Sequence, residues 1–245
     1  MISKTHSKYI QSLQHKKFRD IESLFIAEGN KVLLELLRCD KFICTEILGT
    51  KNYFQLHEQH LRKHYQGPLL EIEEFELEKI SALSTPNQVV GVFKKSIAKL
   101  DDPVDKINIL LDHIQDTVNL GTIIRIADWF AVSNIICSPD CVELYNPKVV
   151  QSTMGSLGRV NVVYTNLTDW IKEHAGIKLY AAALNGKNVQ TLNGVKEALI
   201  VIGNESKGIS DEIMQLAKEK ITITKFGEAE SLNAAVATGI ILSHL

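Results

Sequence analysis

The sequence predicts an α/β protein, in which a C-terminal, mostly parallel sheet with helices on both sides follows a smaller α/β domain. Continuous apolar runs at residues 107–111 and 198–202 are typical of strands buried on both faces of a parallel sheet. From residue 107 onwards such runs alternate with helical patterns, which favours a parallel sheet covered by helices. Residues 96–106 are polar and contain Pro103, so we predict a linker there between domains at 1–95 and 107–245.

The first domain shows short apolar strands separated by helical segments. The elements expected here are helices at 4–19, 32–37 and 57–65 and strands at 25–27, 42–44, 69–70 and 89–93. Three histidines of the third helix, His57, His60 and His64, have helical spacing that a metal-binding face would also show. No carboxylate or cysteine motif accompanies them, so an exposed helix is the favoured interpretation.

The second domain has more regular alternation. We predict strands at 107–111, 134–137, 160–164, 179–183, 198–202 and 221–223, and helices from about 120, from 146 to about 155, at 168–174 and from 230 onwards. Ligands of such sheets bind beyond the carboxyl ends of the strands. The last helix is crowded with small side chains, so we expect close packing against another segment, and Ser231 is its predicted N-cap.

Composition is that of an ordinary globular protein, with 45% hydrophobic residues and a net charge of −2. The sequence has neither an apolar run of transmembrane length nor a secretory signal, so we expect a cytoplasmic protein without a membrane partner. Four cysteines without CxxC spacing favour reduced thiols over a zinc site, and we expect no metal cofactor. Residues 1–20 hold five lysine or arginine residues against one aspartate, which fits either a phosphate-binding face or a solvated helix.

Three stretches after predicted strands carry the candidate functional residues. They are residues 111–130 with Asn119, Gly121 and Arg125, residues 198–210 with Gly203-Asn204-Glu205 and Gly208, and residues 221–245 with Ser231-Leu232-Asn233. Gly203 and Gly208 have the spacing of a phosphate-binding loop. However, Ile209-Ser210 stands where such a loop needs Lys-Ser/Thr, which counts against a nucleotide-dependent α/β enzyme.

Together and in this order, the three stretches resemble the three motifs of the SpoU (TrmH-like) branch of the SPOUT RNA methyltransferases. The resemblance implies that the C-terminal domain ends in a trefoil knot, binds S-adenosyl-L-methionine and forms a homodimer, often with a residue borrowed across the interface. The N-terminal domain is similar to the substrate-binding domain of these enzymes, whose fold resembles ribosomal protein L30e. Phe25 to Gly29 and Thr85 to Gln88 carry that similarity. Two departures, Thr117-Val118 for Pro-Gly and Thr224 for Pro, affect loop stiffness rather than chemistry.

The resemblance also assigns roles to individual residues. The implied donor-binding residues are Ala183, Leu184, Gly203, Asn204, Gly208, Ile223 and Leu232. The implied catalytic residues are Arg125, Asn119, Glu205, Ser231 and Asn233, and Arg159 is an implied RNA contact. Because arginine is essentially always protonated, Arg125 is expected to hold a phosphate and stabilise a developing oxyanion rather than act as a base. The sequence pattern alone would instead favour a surface salt bridge of Arg125 with Asp116 or Asp128.

These expectations predict an S-adenosylmethionine-dependent RNA methyltransferase that modifies a ribose 2′-hydroxyl in rRNA or tRNA. One alternative is a catalytically inert protein of the same fold that only binds RNA. The other is the nucleotide-dependent α/β enzyme with a degenerate phosphate loop.

Overall fold

The computed structural model describes residues 2–192 and 194–245, and its contacts divide them into two compact units. The first unit comprises the residues up to Ile97 together with Glu143–Gly158, and the second comprises Ala98–Val142 and Arg159–Leu245. The inclusion of 143–158 in the first unit is a feature that no sequence pattern indicates. The domain ranges 1–95, 96–106 and 107–245 stay predictions.

The first unit contains a four-stranded sheet of β1 (Leu24–Glu28), β4 (Val89–Lys94), β2 (Cys44–Gly49) and β3 (Leu69–Glu71), in this spatial order. Strand β4 is antiparallel to β1 and β2, whereas β2 and β3 are parallel. Its helices are α1 (Lys4–Ser12), α2 (Lys16–Glu22), α3 (Asn30–Leu37), α4 (Lys51–Leu61), α5 (Glu74–Ile80) and α7 (Pro147–Ser152).

Three elements predicted for the first domain differ from the structure by more than two residues, and the others predicted there agree within two residues at each end. The expected helix 4–19 is two helices, because the buried Arg19 side chain donates to the carbonyl oxygens of Leu13 and Gln14 at 2.9 and 2.7 Å and holds a turn there. The expected helix 57–65 spans Lys51–Leu61, because the Thr50 side chain caps it by accepting from the Tyr53 N–H. The expected strand at 42–44 begins only at Cys44 and runs on to Gly49.

The segment 143–158 joins the first unit through an aromatic and an ionic contact. The Tyr145 ring lies 4.8 Å from the Phe25 ring, and the Tyr145 hydroxyl donates to the Ser96 carbonyl oxygen at 2.9 Å. Glu143 pairs with the buried Arg19 and with Lys95. These contacts link residues far apart in sequence, and for this reason they cannot be read from local patterns.

The second unit contains a six-stranded sheet in which every neighbouring pair is parallel, as predicted. The strands, in spatial order, are β10 (Glu219–Thr222), β8 (Leu179–Asn188), β9 (Ala198–Ile202), β5 (Ile107–Leu111), β6 (Asn134–Cys137) and β7 (Asn161–Tyr164). The helices are α6 (Thr117–Trp129), α8 (Leu167–Glu173), α9 (Asp211–Leu216) and α10 (Ala234–Leu242). The chain reverses its direction of strand addition at β5, which places a ligand-binding crevice at the carboxyl ends of the central strands.

The last helix begins later than the sequence predicted. Its N-cap is Asn233, whose side-chain oxygen accepts from the N–H groups of Ala235 and Val236 at 2.9 and 3.2 Å, so the prediction of Ser231 as N-cap is wrong. Strand β10 spans 219–222 and so begins two residues earlier than the predicted strand at 221–223. Ala234, Ala235 and Thr238 of the last helix are buried, whereas a Cβ atom on Gly239 would meet Ile126 of α6 only at an ordinary contact distance of 3.7 Å. The trefoil knot stays a prediction.

Candidate active site

A cleft of about 670 Å³ opens in the second unit where β9 and β10 end and beside the middle of β8. Its walls come from the loops after β9 and β10 and from the small residues of α10. All seven predicted donor-binding residues line it, namely Ala183, Leu184, Gly203, Asn204, Gly208, Ile223 and Leu232. Glu205 and Ser231 line it as well, whereas Asn119, Asn233 and Arg125 do not. The structure therefore brings the donor-binding candidates together, and their role stays a prediction.

The loop after β9 is a tight, internally bonded turn that only glycine at position 203 permits. A Cβ atom on Gly203 would lie 2.4 Å from the carbonyl carbon of Gly208 and 2.5 Å from the Ile209 nitrogen. The main chains of Asn204 and Gly208 exchange hydrogen bonds of 3.0 and 2.9 Å, and Gly208 has a φ of +71°. This loop is thus held in one shape before any ligand arrives.

The Asn204 side chain fixes that loop to the rest of the sheet. Its Nδ2 donates to the carbonyl oxygen of His113 at 2.9 Å, and its Oδ1 accepts from the N–H groups of Ser206 and Lys207 at 2.9 and 3.1 Å. These three hydrogen bonds are all made with main-chain groups, so Asn204 shapes the cleft through the backbone.

The cleft walls are mainly apolar. Ile202 and Ile221 form buried parts of the lining, while Leu184 and Phe226 are 76% and 97% exposed along its edge. An apolar slot with main-chain polar groups at one end suits a neutral aromatic base with a polar sugar, which needs hydrophobic walls and few charges. The residues present therefore fit S-adenosylmethionine.

The three motif stretches meet at one side-chain amide. Asn119, which is 8% exposed, donates from Nδ2 to the Glu205 carboxylate and accepts at Oδ1 from Asn233 Nδ2 at 2.7 Å. Its own main-chain N–H donates to the α6 N-cap, Asp116, at 2.8 Å. This chain of hydrogen bonds places Glu205 at the cleft and fixes the start of α10 against the start of α6.

Arg125 is exposed on α6 and has no hydrogen-bond or ion-pair partner among residues 2–192 and 194–245. The salt bridges that the pattern favoured do not form: Asp128 accepts from Arg159 Nε at 3.0 and 2.9 Å, and Asp116 caps α6. The helical period places Arg125 on the same stripe as Val118, Thr122 and Trp129. Arg125 thus carries a free guanidinium between two exposed apolar side chains.

His113 is a site neighbour that sequence reasoning missed. It has a φ of +58°, and its ring lies between two carboxylates, with Nδ1 2.6 Å from Asp112 Oδ1 and Nε2 3.2 Å from Asp140 Oδ2. Asp112 is 1% exposed and accepts the Ser210 N–H at 2.7 Å. An Asp-His pair directly after a buried strand was the available signal, and the structure shows that the pair supports the loop of Asn204.

The thiols lie outside the cleft, and all four cysteines are free. A hydrogen bond from Cys137 lowers the pKa of Cys141 to about 7, whereas burial raises the pKa of Cys137 itself. Within the described residues there is no cluster of three or more metal-ligating side chains. None of the described helices has both the length and the hydropathy to cross a membrane.

Comparison with known families decides the assignment. A model of the SpoU rRNA methylase family matches residues 106–243. The chain belongs to this family. A second model, the MRM3-like substrate binding domain, matches residues 4–91.

Relatives of this SpoU family member agree with that assignment. The chain is 29% identical to the 23S rRNA (guanosine(2553)-2′-O)-methyltransferase RlmP of Bacillus subtilis, over 96% of this chain and 93% of that protein. It is 32% identical to a TrmH family protein from Porphyromonas gingivalis, with a TM-score of 0.84 over 100% and 98% of the chains. An AdoMet-bound rRNA methyltransferase from Sinorhizobium meliloti is 29% identical, with a TM-score of 0.86 over 100% and 95% of the chains. The predicted family, fold class and enzyme class are confirmed, and neither alternative is supported.

Proposed function

We propose that this SpoU family member transfers a methyl group from S-adenosylmethionine to a ribose 2′-hydroxyl of ribosomal RNA in the cytoplasm. The observation that carries the proposal is the link through Asn119, which joins all three motif stretches beside a cleft that fits the donor. The choice of ribosomal over transfer RNA rests on the rRNA methyltransferases to which the chain is similar.

The donor would lie against the loop of Gly203 to Gly208 and the side chains of Ile223 and Leu232. Ala183 and Leu184 would complete the wall on the side of β8. When bound, S-adenosylmethionine would supply an activated methyl group, because its positively charged sulfur can leave as a neutral thioether when an oxygen attacks the methyl carbon. The protein's contribution is chiefly positioning, because such a displacement requires the oxygen, carbon and sulfur to be in line.

Arg125 is the proposed contact to the acceptor nucleotide. Its guanidinium has no protein partner among the described residues, so it is available for bidentate contact with the phosphate next to the target ribose. A fixed positive charge there would also stabilise the 2′-oxygen as it loses its proton to phosphate or water. Glu205 and Ser231 would orient the ribose hydroxyls from the edge of the cleft, and Asn119 and Asn233 would hold Glu205 and the start of α10 in position.

We also propose a homodimer that buries the exposed stripe of α6. Val118 and Trp129 are 54% and 85% exposed on this stripe, and Val236 of α10 is 50% exposed. Helix α10 is apolar on nearly all sides, which is typical of a helix covered from both directions. Arg125 would then lie at the interface, close to the site of a second copy.

Methyl transfer to RNA from a strain that lacks this protein tests the proposal. Labelled S-adenosylmethionine should modify one nucleotide of the ribosomal RNA, and the modified position should resist alkaline cleavage, because a 2′-O-methyl group removes the attacking hydroxyl. Labelling of transfer RNA alone would contradict the choice of substrate. Label that does not confer alkaline resistance would contradict ribose methylation.

A further inference from the structure

A second cavity, of about 290 Å³, lies entirely within the N-terminal unit. The start of α3, one face of α4 and the loop before β4 surround it. Its lining residues are Asn30, Tyr53, His57, Pro86, Asn87, Gln88 and Val89, and we call this cavity the amide pocket. The catalytic residues proposed above do not contribute to it.

The shape of the amide pocket depends on glycine at position 29. Gly29 has a φ of +86°, and a Cβ atom there would lie 3.1 Å from both Cγ and Nδ2 of Asn87. The Gly29 N–H donates to the Val89 carbonyl oxygen at 2.9 Å, which ties the two sides of the pocket together. The Asn87 side chain is therefore packed over the main chain of Gly29 with its amide at the pocket.

Two side-chain amides of the pocket, of the partly buried Asn87 and the exposed Gln88, are available to a ligand. The side-chain amides of Asn87 and Gln88 make no hydrogen bond with other residues in the described part of the chain. Asn30 uses Oδ1 to accept from the Tyr53 hydroxyl at 2.7 Å, which leaves its Nδ2 as a donor. The amides of Asn87 and Gln88 each offer a donor next to an acceptor, as the edge of a nucleobase does.

An imidazole ring forms another side of the amide pocket. The His57 ring lies 4.7 Å from the Tyr53 ring at an angle of 37°, and Tyr53 is itself buried and fixed through its hydroxyl. His57 is only partly buried, so part of its side chain is accessible beside the pocket. Aromatic and histidine rings are the platforms on which proteins stack unpaired bases.

Basic side chains lie at the C-terminal ends of α3 and α4, where Arg62 pairs with Glu58 at 3.6 Å. Arg38 Nη2 lies 3.1 Å from His60 Nε2, and the His60 and His64 rings are 5.8 Å apart. Desolvation lowers the pKa of His60, and so do the charges of Arg38, Lys63 and His64. Glu35 offsets part of the charge through its pair with Arg38 at 3.4 Å. The neighbouring cations that lower the pKa of His60 also create a positive local potential, which favours the binding of RNA phosphates.

We infer that the amide pocket binds one unpaired nucleobase of the RNA substrate, with His57 against its face and Asn87 and Gln88 at its edge. The cluster of Arg38, His60 and Lys63 contacts the adjoining phosphates. The cavity has room for a single nucleotide but not for a duplex, and its pairing groups match a base edge rather than an apolar ligand. This inference rests on the proposed function and adds a residue-level specificity site to it.

The test uses the full-length protein and ribosomal RNA from a strain that lacks it. We expect His57→Ala and Asn87→Ala each to weaken RNA binding in a filter assay, and to raise the KM for RNA, by about tenfold. The kcat and the affinity for S-adenosylmethionine should stay unchanged, because those residues lie outside the donor cleft. His57→Phe should restore binding by keeping a ring, and Gln59→Ala, exposed on the same helix, is the matched control.

Salt dependence separates base contact from phosphate contact. Lys63→Gln should reduce the slope of log affinity against log salt by about one, whereas Asn87→Ala should weaken binding without changing that slope. Wild-type RNA affinity in both His57→Ala and Asn87→Ala would overturn the inference. Failure of the proposed function gives a different result: the wild-type protein itself would transfer no methyl group, while the binding comparison would still be measurable.

Discussion

Asn233 Nδ2 donates to Asn119 Oδ1 at 2.7 Å and so joins two helix starts that are 114 residues apart in the sequence. Asn119 is in turn the donor to Glu205, so one amide connects three segments and uses both of its polar ends. An aspartate or leucine could not do this, because neither offers a donor and an acceptor together at near-neutral pH.

Asn119→Asp is expected to remove the hydrogen bond between residue 119 and Glu205. The new carboxylate would face the Glu205 carboxylate, and like charges repel strongly in a poorly solvated position. We expect kcat for methyl transfer to fall by about 10²-fold, as positioning losses do, with a smaller change in S-adenosylmethionine affinity. The exposed Asn52→Asp variant should retain full activity. A fully active Asn119→Asp enzyme would show that the chain of bonds has no role in transfer.

Gly203→Ala is expected to close the donor cleft. The added methyl group would overlap the main chain of Gly208 and Ile209, which cannot move as a flexible side chain would. We expect calorimetry to detect no S-adenosylmethionine binding and urea unfolding to show a loss of about 1–3 kcal/mol. Gly176→Ala is the control, since an added Cβ there meets nothing within 4 Å. Unchanged donor affinity in Gly203→Ala would contradict the placement of the donor.

Arg125→Ala is expected to lower methyl-transfer activity while leaving the free energy of unfolding almost unchanged. The side chain is exposed and unpaired within the described residues, so unfolding free energy should change by less than about 0.5 kcal/mol. Methyl transfer should fall by about 10²–10³-fold, because a positioned charge is lost from the reacting oxygen. Arg125→Lys should recover little, since lysine cannot contact phosphate bidentately. Equal activity of wild type and Arg125→Ala would remove Arg125 from the site.

Trp129→Glu is expected to produce a monomer. In a twofold interface each copy would bring a new carboxylate into an apolar contact, which costs far more than it does in water. Sedimentation should show half the wild-type mass, while thermal unfolding should remain cooperative. Val104→Glu, at an exposed apolar residue of the same unit, should leave the mass unchanged. A wild-type protein that sediments as a monomer would refute the dimer.

Asp20 is expected to make stability depend on acid pH. Hydrogen bonds from Lys16 and Lys95 Nζ, each 2.6 Å long, lower its pKa to about 2. Because its folded pKa is depressed, Asp20 stabilises the fold above its unfolded pKa of about 3.9, and this contribution is lost as the pH falls towards 2. The difference in urea midpoint between wild type and Asp20→Asn should therefore shrink between pH 5 and pH 2. If the difference in urea midpoint stayed constant between pH 5 and pH 2, the contacts of Asp20 with Lys16 and Lys95 would not be the source of the acid sensitivity.

Strands β5, β6 and β9 have the bounds that the sequence predicted. Each is a short apolar run, and the central strands of a parallel sheet bury such runs on both faces. Helix α4 begins at Lys51, six residues before the predicted start at residue 57. The histidine-rich end of the helix was recognised in the sequence, but its N-cap, Thr50, was not. At the last helix, both Ser231 and Asn233 can cap a helix, so local chemistry could not choose between them. The contact with Asn119 fixes Asn233 in place, and that contact exists only in the folded chain.

The sequence by itself determined the family and the parallel sheet, and it named seven residues that line the cleft proposed for the donor, because motif spacing and apolar periodicity are local properties. Only the tertiary structure decided which of those residues touch. It showed that Asn119 bonds both Glu205 and Asn233, that Arg125 has no partner among the described residues, and that the segment 143–158 packs with the N-terminal unit. Such contacts depend on the approach of side chains distant in sequence, and no local pattern encodes that approach.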